Sequence, residues 1–166
     1  MFTKINSQST KIRDFSVQIL FLFASMLLLA SGVISAQPPT NPINVIVYKS
    51  PTCGCCKSWV DHMKENGFKV EVHDQYNVNP IKEKLGVARN LQSCHTAKVG
   101  GYVIEGHVPA SDIKRLLKEK PKVTGLAAPG MPMGSPGMEG PRKDPYDVLT
   151  FQRNGKTTVF ASHNQK

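Results

Sequence analysis

The hydrophobic pattern beyond residue 40 begins with a strand, a helix and a second strand. Residues 44–48 (NVIVY) form a β-branched run that predicts a buried strand, and residues 68–73 (FKVEVH) alternate like a half-buried strand. Between them Trp59 and Met63 recur at helical spacing, and Gly67 is placed as a C-terminal cap would be. The helix is therefore expected to begin near residue 53.

A second short helix, a hairpin and a third helix follow. Asn-Pro at residues 79–80 opens the short helix and Gly86 ends it. Strands at 95–99 and 102–108 flank a Gly-Gly turn, and a helix starts at Pro109. The predicted order is β-α-β-(α)-β-β-α. A crossover pair of strands followed by a hairpin and a packing helix predicts an α/β chain with the thioredoxin-like arrangement.

The pattern changes in residues 125–145, which contain five glycines, five prolines and three methionines. This composition predicts a Met-rich loop without regular structure, laid over the domain. Residues 146–151 and 157–161 then predict a C-terminal hairpin spanning 146–161 that extends the sheet.

The first 36 residues have the order of a secretory signal peptide. Basic residues precede an apolar run at 19–30, and Ala36 ends a stretch of small residues. The run is shorter than the roughly 20 apolar residues of a membrane-spanning helix, although an uncleaved anchor stays an alternative. We expect export to the periplasm, cleavage after Ala36 and no stable membrane association afterwards. A short linker at 37–43 would lead into one domain at 44–166.

The net charge of +9 comes from basic residues that are scattered along the chain. They form no stripe and have no interleaved aromatic residues, so we interpret them as a solvated surface. Nucleic-acid binding, which needs a patch, is not expected.

Candidate chemistry concentrates in four cysteines. Cys53, Cys55 and Cys56 lie within four positions, too close together to staple distant parts of a fold. At a helix start, unpaired N–H groups and the helix dipole stabilise thiolates, the form that attacks disulfides and also binds metals. Cys53 and Cys56 have thioredoxin spacing, but the intervening thiol of Cys55 departs from that motif and favours a soft metal, copper(I) or zinc.

The fourth cysteine depends on the fold. In a thioredoxin-like chain, the residue before the third strand lies against the cysteine-bearing helix start. Thioredoxins have a cis-proline there, whereas this chain has Cys94. Helical angles point Cys56 inward and Cys55 toward solvent, a divergent set that suits sulfurs bridging several ions. We therefore expect a metal site on Cys53, Cys55, Cys56 and Cys94, with a buried inert Cys94 as the alternative.

Other candidate ligands carry weaker signals. His95 adjoins Cys94, but neighbours in a strand point to opposite faces, so it is a candidate ligand or a residue that tunes the thiolates. His107 is as readily a packing or hydrogen-bonding residue. Met131 and Met133 offer soft thioethers, although methionine also fills irregular apolar contacts. No catalytic residue is assigned unless the chain is a thiol–disulfide oxidoreductase, in which case Cys53 and Cys56 would react.

Four motifs resemble one family. They are CGCCK at 53–57, SCHTA at 93–97, GYVIEGHVP at 101–109 and GLAAPGMPMGSPGM at 125–138. In this order they are similar to the domain of unknown function 411 and its CopG-type copper-resistance proteins. The resemblance implies a thioredoxin-like fold, a periplasmic location, copper bound by the cysteines and a role in copper tolerance. As partners we expect metal ions and a periplasmic protein that donates or accepts copper, which the sequence does not identify.

Overall fold

The computed structural model describes residues 41–165 as a mixed α/β fold. The strands are Ile43–Lys49 (β1), Phe68–Asp74 (β2), Thr96–Val99 (β3), Tyr102–Gly106 (β4), Gly125–Ala128 (β5), Tyr146–Phe151 (β6) and Thr157–His163 (β7). The helices are Gly54–Glu65 (α1), Asn79–Leu85 (α2) and Ala110–Glu119 (α3), with a 3₁₀ turn at Arg89–Leu91. The expected signal peptide at 1–36 lies outside the described residues. So does most of the expected linker at 37–43, and β1 begins at its last residue.

The seven strands form one sheet in the order β2-β1-β3-β4-β5-β6-β7. β1 pairs parallel to β2, as a helical crossover requires, and antiparallel to β3. β3 and β4 form the predicted hairpin around Gly100 and Gly101, whose φ angles of 53° and 88° suit a tight turn. β4 pairs parallel to β5, and the C-terminal hairpin of β6 and β7 extends the sheet.

The two faces of the sheet carry cores of different size. Ile104 belongs to the larger core, whereas its neighbour Val103 belongs to the smaller one, as alternation along a strand requires. In the larger core, α1 contributes Trp59 and Met63, while α3 contributes Ile113 and Leu116. The smaller core consists of Val87, Leu91, Val103, Ala127 and Phe151. The sheet is thus covered on both faces.

Local signals placed the helices correctly. α1 ends before Gly67 at φ 86°, and α2 ends at Gly86 at φ 80°, both left-handed conformations that glycine adopts without strain. The third helix likewise begins where the sequence predicts, since Pro109 is the N-cap of α3, and its Ile113 and Leu116 are fully buried.

Two expectations were wrong. Residues 125–145 are not entirely irregular, because Gly125–Ala128 is a buried strand in the middle of the sheet. A Cβ at Gly125 would lie 1.8 Å from the carbonyl oxygen of Val103, so only glycine fits beside β4. The basic residues are not all solvated either, since Lys82 is 2% exposed. Within residues 41–165, no helix is both long and apolar enough to cross a membrane.

Candidate metal centre

The start of α1 presents three cysteines in different directions. Cys53 is the N-cap in an extended conformation, and its Sγ accepts a hydrogen bond from the Cys56 amide at 3.3 Å. One residue into the helix, Cys55 is half-buried, while Cys56 is fully buried on the same face as Trp59. These orientations agree with the helical angles expected from the sequence.

The segment before β3 brings Cys94 to the same place. Its Sγ lies 3.3 Å from that of Cys56 and 3.9 Å from that of Cys55, while the Sγ atoms of Cys53 and Cys55 are 3.5 Å apart. All four sulfurs fall within 4.8 Å of one another. Two segments 38 residues apart therefore meet in one cluster of sulfur atoms.

Two of these sulfurs are covalently joined. Cys53 and Cys56 form a disulfide, with their Cα atoms 5.3 Å apart, and Cys55 and Cys94 are free thiols. A disulfide sulfur carries no negative charge, whereas metals bind the thiolate. Reduction of this bond by two electrons, with uptake of two protons, yields a site of four thiols.

Two histidines also contact Cys94. Its Sγ lies 3.0 Å from Nε2 of His107 and 3.3 Å from Nδ1 of His95. The three ligand atoms of Cys94, His95 and His107 lie within 4.8 Å of one another. The expectation that His95 would point away from Cys94 was wrong, because β3 begins only at Thr96 and the alternation of a strand does not apply to His95.

For His107 a packing or hydrogen-bonding role was expected as readily as ligation, although the register of the predicted hairpin indicates that it lies opposite Cys94. Thr96 pairs with Glu105 across β3 and β4. The same register continued two residues beyond this pair places Cys94 opposite His107. Counting outward from the Gly-Gly turn therefore pairs these two residues from the sequence alone.

Burial controls the protonation of this cluster. It lowers the pKa of His107, and it lowers that of His95 well below its ordinary value, helped there by the neighbouring His107. Unprotonated imidazole is the form that binds metals. Burial, with the nearby Cys55 sulfur, raises the pKa of Cys94 to about 12. Among the described residues, Nε2 of His95 has no hydrogen-bond partner.

The segment after β5, residues 129–145, covers one side of the sulfur cluster. The carbonyl oxygen of Pro136 lies 2.8 Å from Nδ1 of His107. A Cβ on Gly137 would lie 2.7 Å from both the Cys55 carbonyl oxygen and the Trp59 amide nitrogen. The chain thus lies directly on the first turns of α1, as the expectation of an overlying loop required.

The two candidate methionines lie in this segment. Met131 is 54% exposed. Met133 is half-buried, its amide donates to Asp144 at 3.4 Å, and its terminal methyl lies against Gly140. Ligation by either thioether stays a prediction.

Comparison with known proteins points to one family. The profile of the family described as "Protein of unknown function, DUF411" matches residues 91–138, which include Cys94 and both of its histidine neighbours. No curated protein matches the chain. Two solved structures, "Copper resistance protein copG" Form 1 and Form 2, are each 44% identical to it. Form 1 has a TM-score of 0.71 and the match covers 75% of this chain and 100% of that chain; Form 2 has 0.70, 74% and 99%. The chain belongs to the DUF411 family of CopG-type copper-resistance proteins.

Proposed function

We propose that this protein binds copper(I) on the thiolates of Cys53, Cys55, Cys56 and Cys94, in copper tolerance or in the redox handling of copper. The observation that carries the proposal is the meeting of all four sulfurs within 4.8 Å from two distant segments. Soft thiolates favour copper(I) and zinc over hard cations. Similarity to copper resistance proteins supports copper as the metal.

The number of ions is a separate part of the proposal. Sulfurs around one tetrahedral ion, with metal–sulfur bonds of about 2.3 Å, lie roughly 3.8 Å apart. The sulfur distances of 3.3 to 3.9 Å around Cys94 therefore also suit a single ion such as zinc. We favour several copper ions bridged by thiolates because Cys55 is half-buried beside the fully buried Cys56. Because the Cys55 and Cys56 sulfurs point in different directions, they can bind ions on more than one side of the cluster.

The test is an anaerobic titration of the fully reduced protein with copper(I), against a competing chelator. The wild type is expected to bind more than one copper per chain, and Cys94→Ser to bind fewer and more weakly. His73→Asn serves as a control for adventitious binding, because His73 is a surface residue that contacts Glu71. Equal stoichiometry and affinity in wild type and Cys94→Ser would contradict the four-sulfur site. If the protein instead binds one zinc ion tightly and unfolds when a chelator removes it, the metal of this site is zinc and not copper.

Copper handling would place the protein in the periplasm after removal of residues 1–36, with 44–166 as its metal-binding domain. Copper would arrive from, or leave to, a periplasmic donor or acceptor protein. We further propose that the fold is thioredoxin-like. The order β2-β1-β3-β4, with parallel β1 and β2 and an antiparallel hairpin, supports this relationship.

The disulfide favours a second candidate function, thiol–disulfide exchange. In this reaction the Cys53 and Cys56 thiols would form their disulfide while a substrate disulfide is reduced to two thiols, or the reverse. The Sγ of Cys94 lies 3.3 Å from that of Cys56, close enough to take part in the exchange. Rapid exchange with glutathione at a defined potential, unchanged in Cys55→Ser, is the result expected of an oxidoreductase. Slow exchange, with a potential that shifts when Cys55 is replaced, would reject it.

A further inference from the structure

A buried ion pair lies behind the segment that carries Cys94. Lys82 on α2 is 2% exposed, and Glu105 on β4 is fully buried. The Lys82 ammonium donates a hydrogen bond to Oε1 of Glu105. Buried ion pairs seldom add net stability, because removing both charges from water costs about as much as their attraction returns. Stabilising the packing of α2 on the sheet therefore does not by itself explain why this ion pair is present.

The same carboxylate oxygen has a second partner. The backbone N–H of Ser93 donates to Oε1 of Glu105 at 2.7 Å. Hydrogen bonds to an ionised carboxylate are shorter and stronger than neutral ones. Because Ser93 immediately precedes Cys94, this bond fixes the backbone from which the fourth sulfur projects.

A second anchor acts from the covering segment. The Ser93 hydroxyl donates to the carbonyl oxygen of Gly130, and the Gly130 amide donates to that of Gln92 at 3.3 Å. The backbone before Cys94 is thus held at two points, by Glu105 on β4 and by Gly130 in the segment after β5.

We propose that Glu105 is a positioning residue that holds the Ser93 backbone, and so sets the Cys94 sulfur against Cys56, while Lys82 compensates its buried charge. The consequence for metal binding rests on the proposed function, but the placement of the sulfur does not. Burial raises the pKa of Glu105 against the opposing effect of Lys82. Among the described residues, Oε2 of Glu105 has no hydrogen-bond partner. The site therefore keeps a charge in an unfavourable setting, where an apolar side chain would be easier to bury.

The experiment measures how strongly the fold holds the two sulfurs together. In a Cys53→Ser/Cys55→Ser background only Cys56 and Cys94 remain, and their 3.3 Å separation leads to a single disulfide. Serine at position 53 keeps an N-cap oxygen for α1. Equilibration with reduced and oxidised glutathione, without metal, gives the effective concentration of one thiol at the other.

Two double variants form the matched comparison. Lys82→Met/Glu105→Gln and Lys82→Met/Glu105→Leu both remove the buried charges, but only glutamine keeps an acceptor for the Ser93 N–H. The leucine variant is expected to have an effective concentration about tenfold to a hundredfold lower than the glutamine variant, since it leaves the part-buried Ser93 amide without an acceptor. Lys82→Met/Glu105→Met is a second apolar variant with a more adaptable side chain, for use if the leucine variant fails to fold.

A control separates positioning from general loss of stability. Phe151→Leu weakens the smaller core on the same face as Val103, and the contacts described for Ser93 do not involve it. It should leave the effective concentration within about twofold of the background. Equal values in the glutamine variant and the folded apolar variant, or an equal fall in Phe151→Leu, would overturn the inference. Failure of the wild type to bind copper would overturn only the proposed function, because this measurement uses no metal.

Discussion

Replacing Gly137 with alanine is expected to loosen the segment that covers the sulfur cluster. Gly137 has a φ of 82°, and a Cβ there would lie 2.7 Å from the Cys55 carbonyl oxygen and 2.7 Å from the Trp59 amide nitrogen. Both neighbours are backbone atoms of α1, so neither can rotate away. The substitution must either displace the segment or distort the first turns of the helix.

Gly130 is the matched control, because it shares the segment and the conformation but not the contact. Its φ is 70°, and no atom lies within 4 Å of a Cβ built on it. Gly130→Ala should cost about 1 to 2 kcal/mol of unfolding free energy, the penalty of a left-handed residue with a side chain. Gly137→Ala adds overpacking of about 1 to 3 kcal/mol, for a total of about 2 to 5 kcal/mol.

Urea unfolding in one fixed redox buffer measures both values. The single tryptophan, Trp59, reports by fluorescence, and circular dichroism serves as a second probe because Trp59 adjoins the substituted site. Displacement should also break the contact between Pro136 and His107 and speed the labelling of Cys55 by thiol reagents. Equal losses of stability in the two variants, with unchanged labelling, would refute the reasoning that Gly137 is required by close packing.

Three further predictions concern α1. Burial lowers the pKa of His62 below its ordinary 6.5, so the unfolded chain takes up its proton more readily. The stability owed to neutral His62 is present above pH 6.5 and is lost as pH falls toward the lowered value, and His62→Gln should flatten this part of a stability–pH profile. The charged groups that bear on His62 are Glu65, Lys114 and Glu139. In reduced protein, Cys53→Ser should keep the bond to the Cys56 amide, whereas Cys53→Ala should be about 1 kcal/mol less stable by urea unfolding; equal stabilities would show that the cap contributes nothing. Trp59→Phe removes the indole N–H that donates to the buried Val108 carbonyl oxygen at 2.9 Å. It should lower the free energy of unfolding by about 1 to 3 kcal/mol, measured by urea unfolding followed by circular dichroism. A loss below about 0.5 kcal/mol would show that the bond is dispensable.

The contact between Cys94 and His107 could be predicted in part from the sequence and depends in part on the tertiary structure. Its pairing follows from the register of a hairpin whose turn is visible in the sequence. Its chemistry does not, because the lowered pKa of His107 arises from burial under a segment about 30 residues away. Register is a local property, whereas burial depends on what packs from elsewhere.

The sequence by itself determined whatever depends on neighbours along the chain. The ends of α1 and α2 follow from Gly67 and Gly86, and the orientations of Cys55 and Cys56 follow from the helical repeat. In each case the signal is a periodicity or a turn residue acting within a few positions.

Only the tertiary structure decided which residues meet across the fold. β5 is a strand because Gly125 fits beside Val103, a fact that its Gly- and Pro-rich surroundings conceal. Lysine is almost always a surface residue, but Lys82 is buried because it forms an ion pair with Glu105 on a strand distant in sequence. Those contacts join segments more than 20 residues apart, and their free energy comes from packing and desolvation, which no local pattern of residues records.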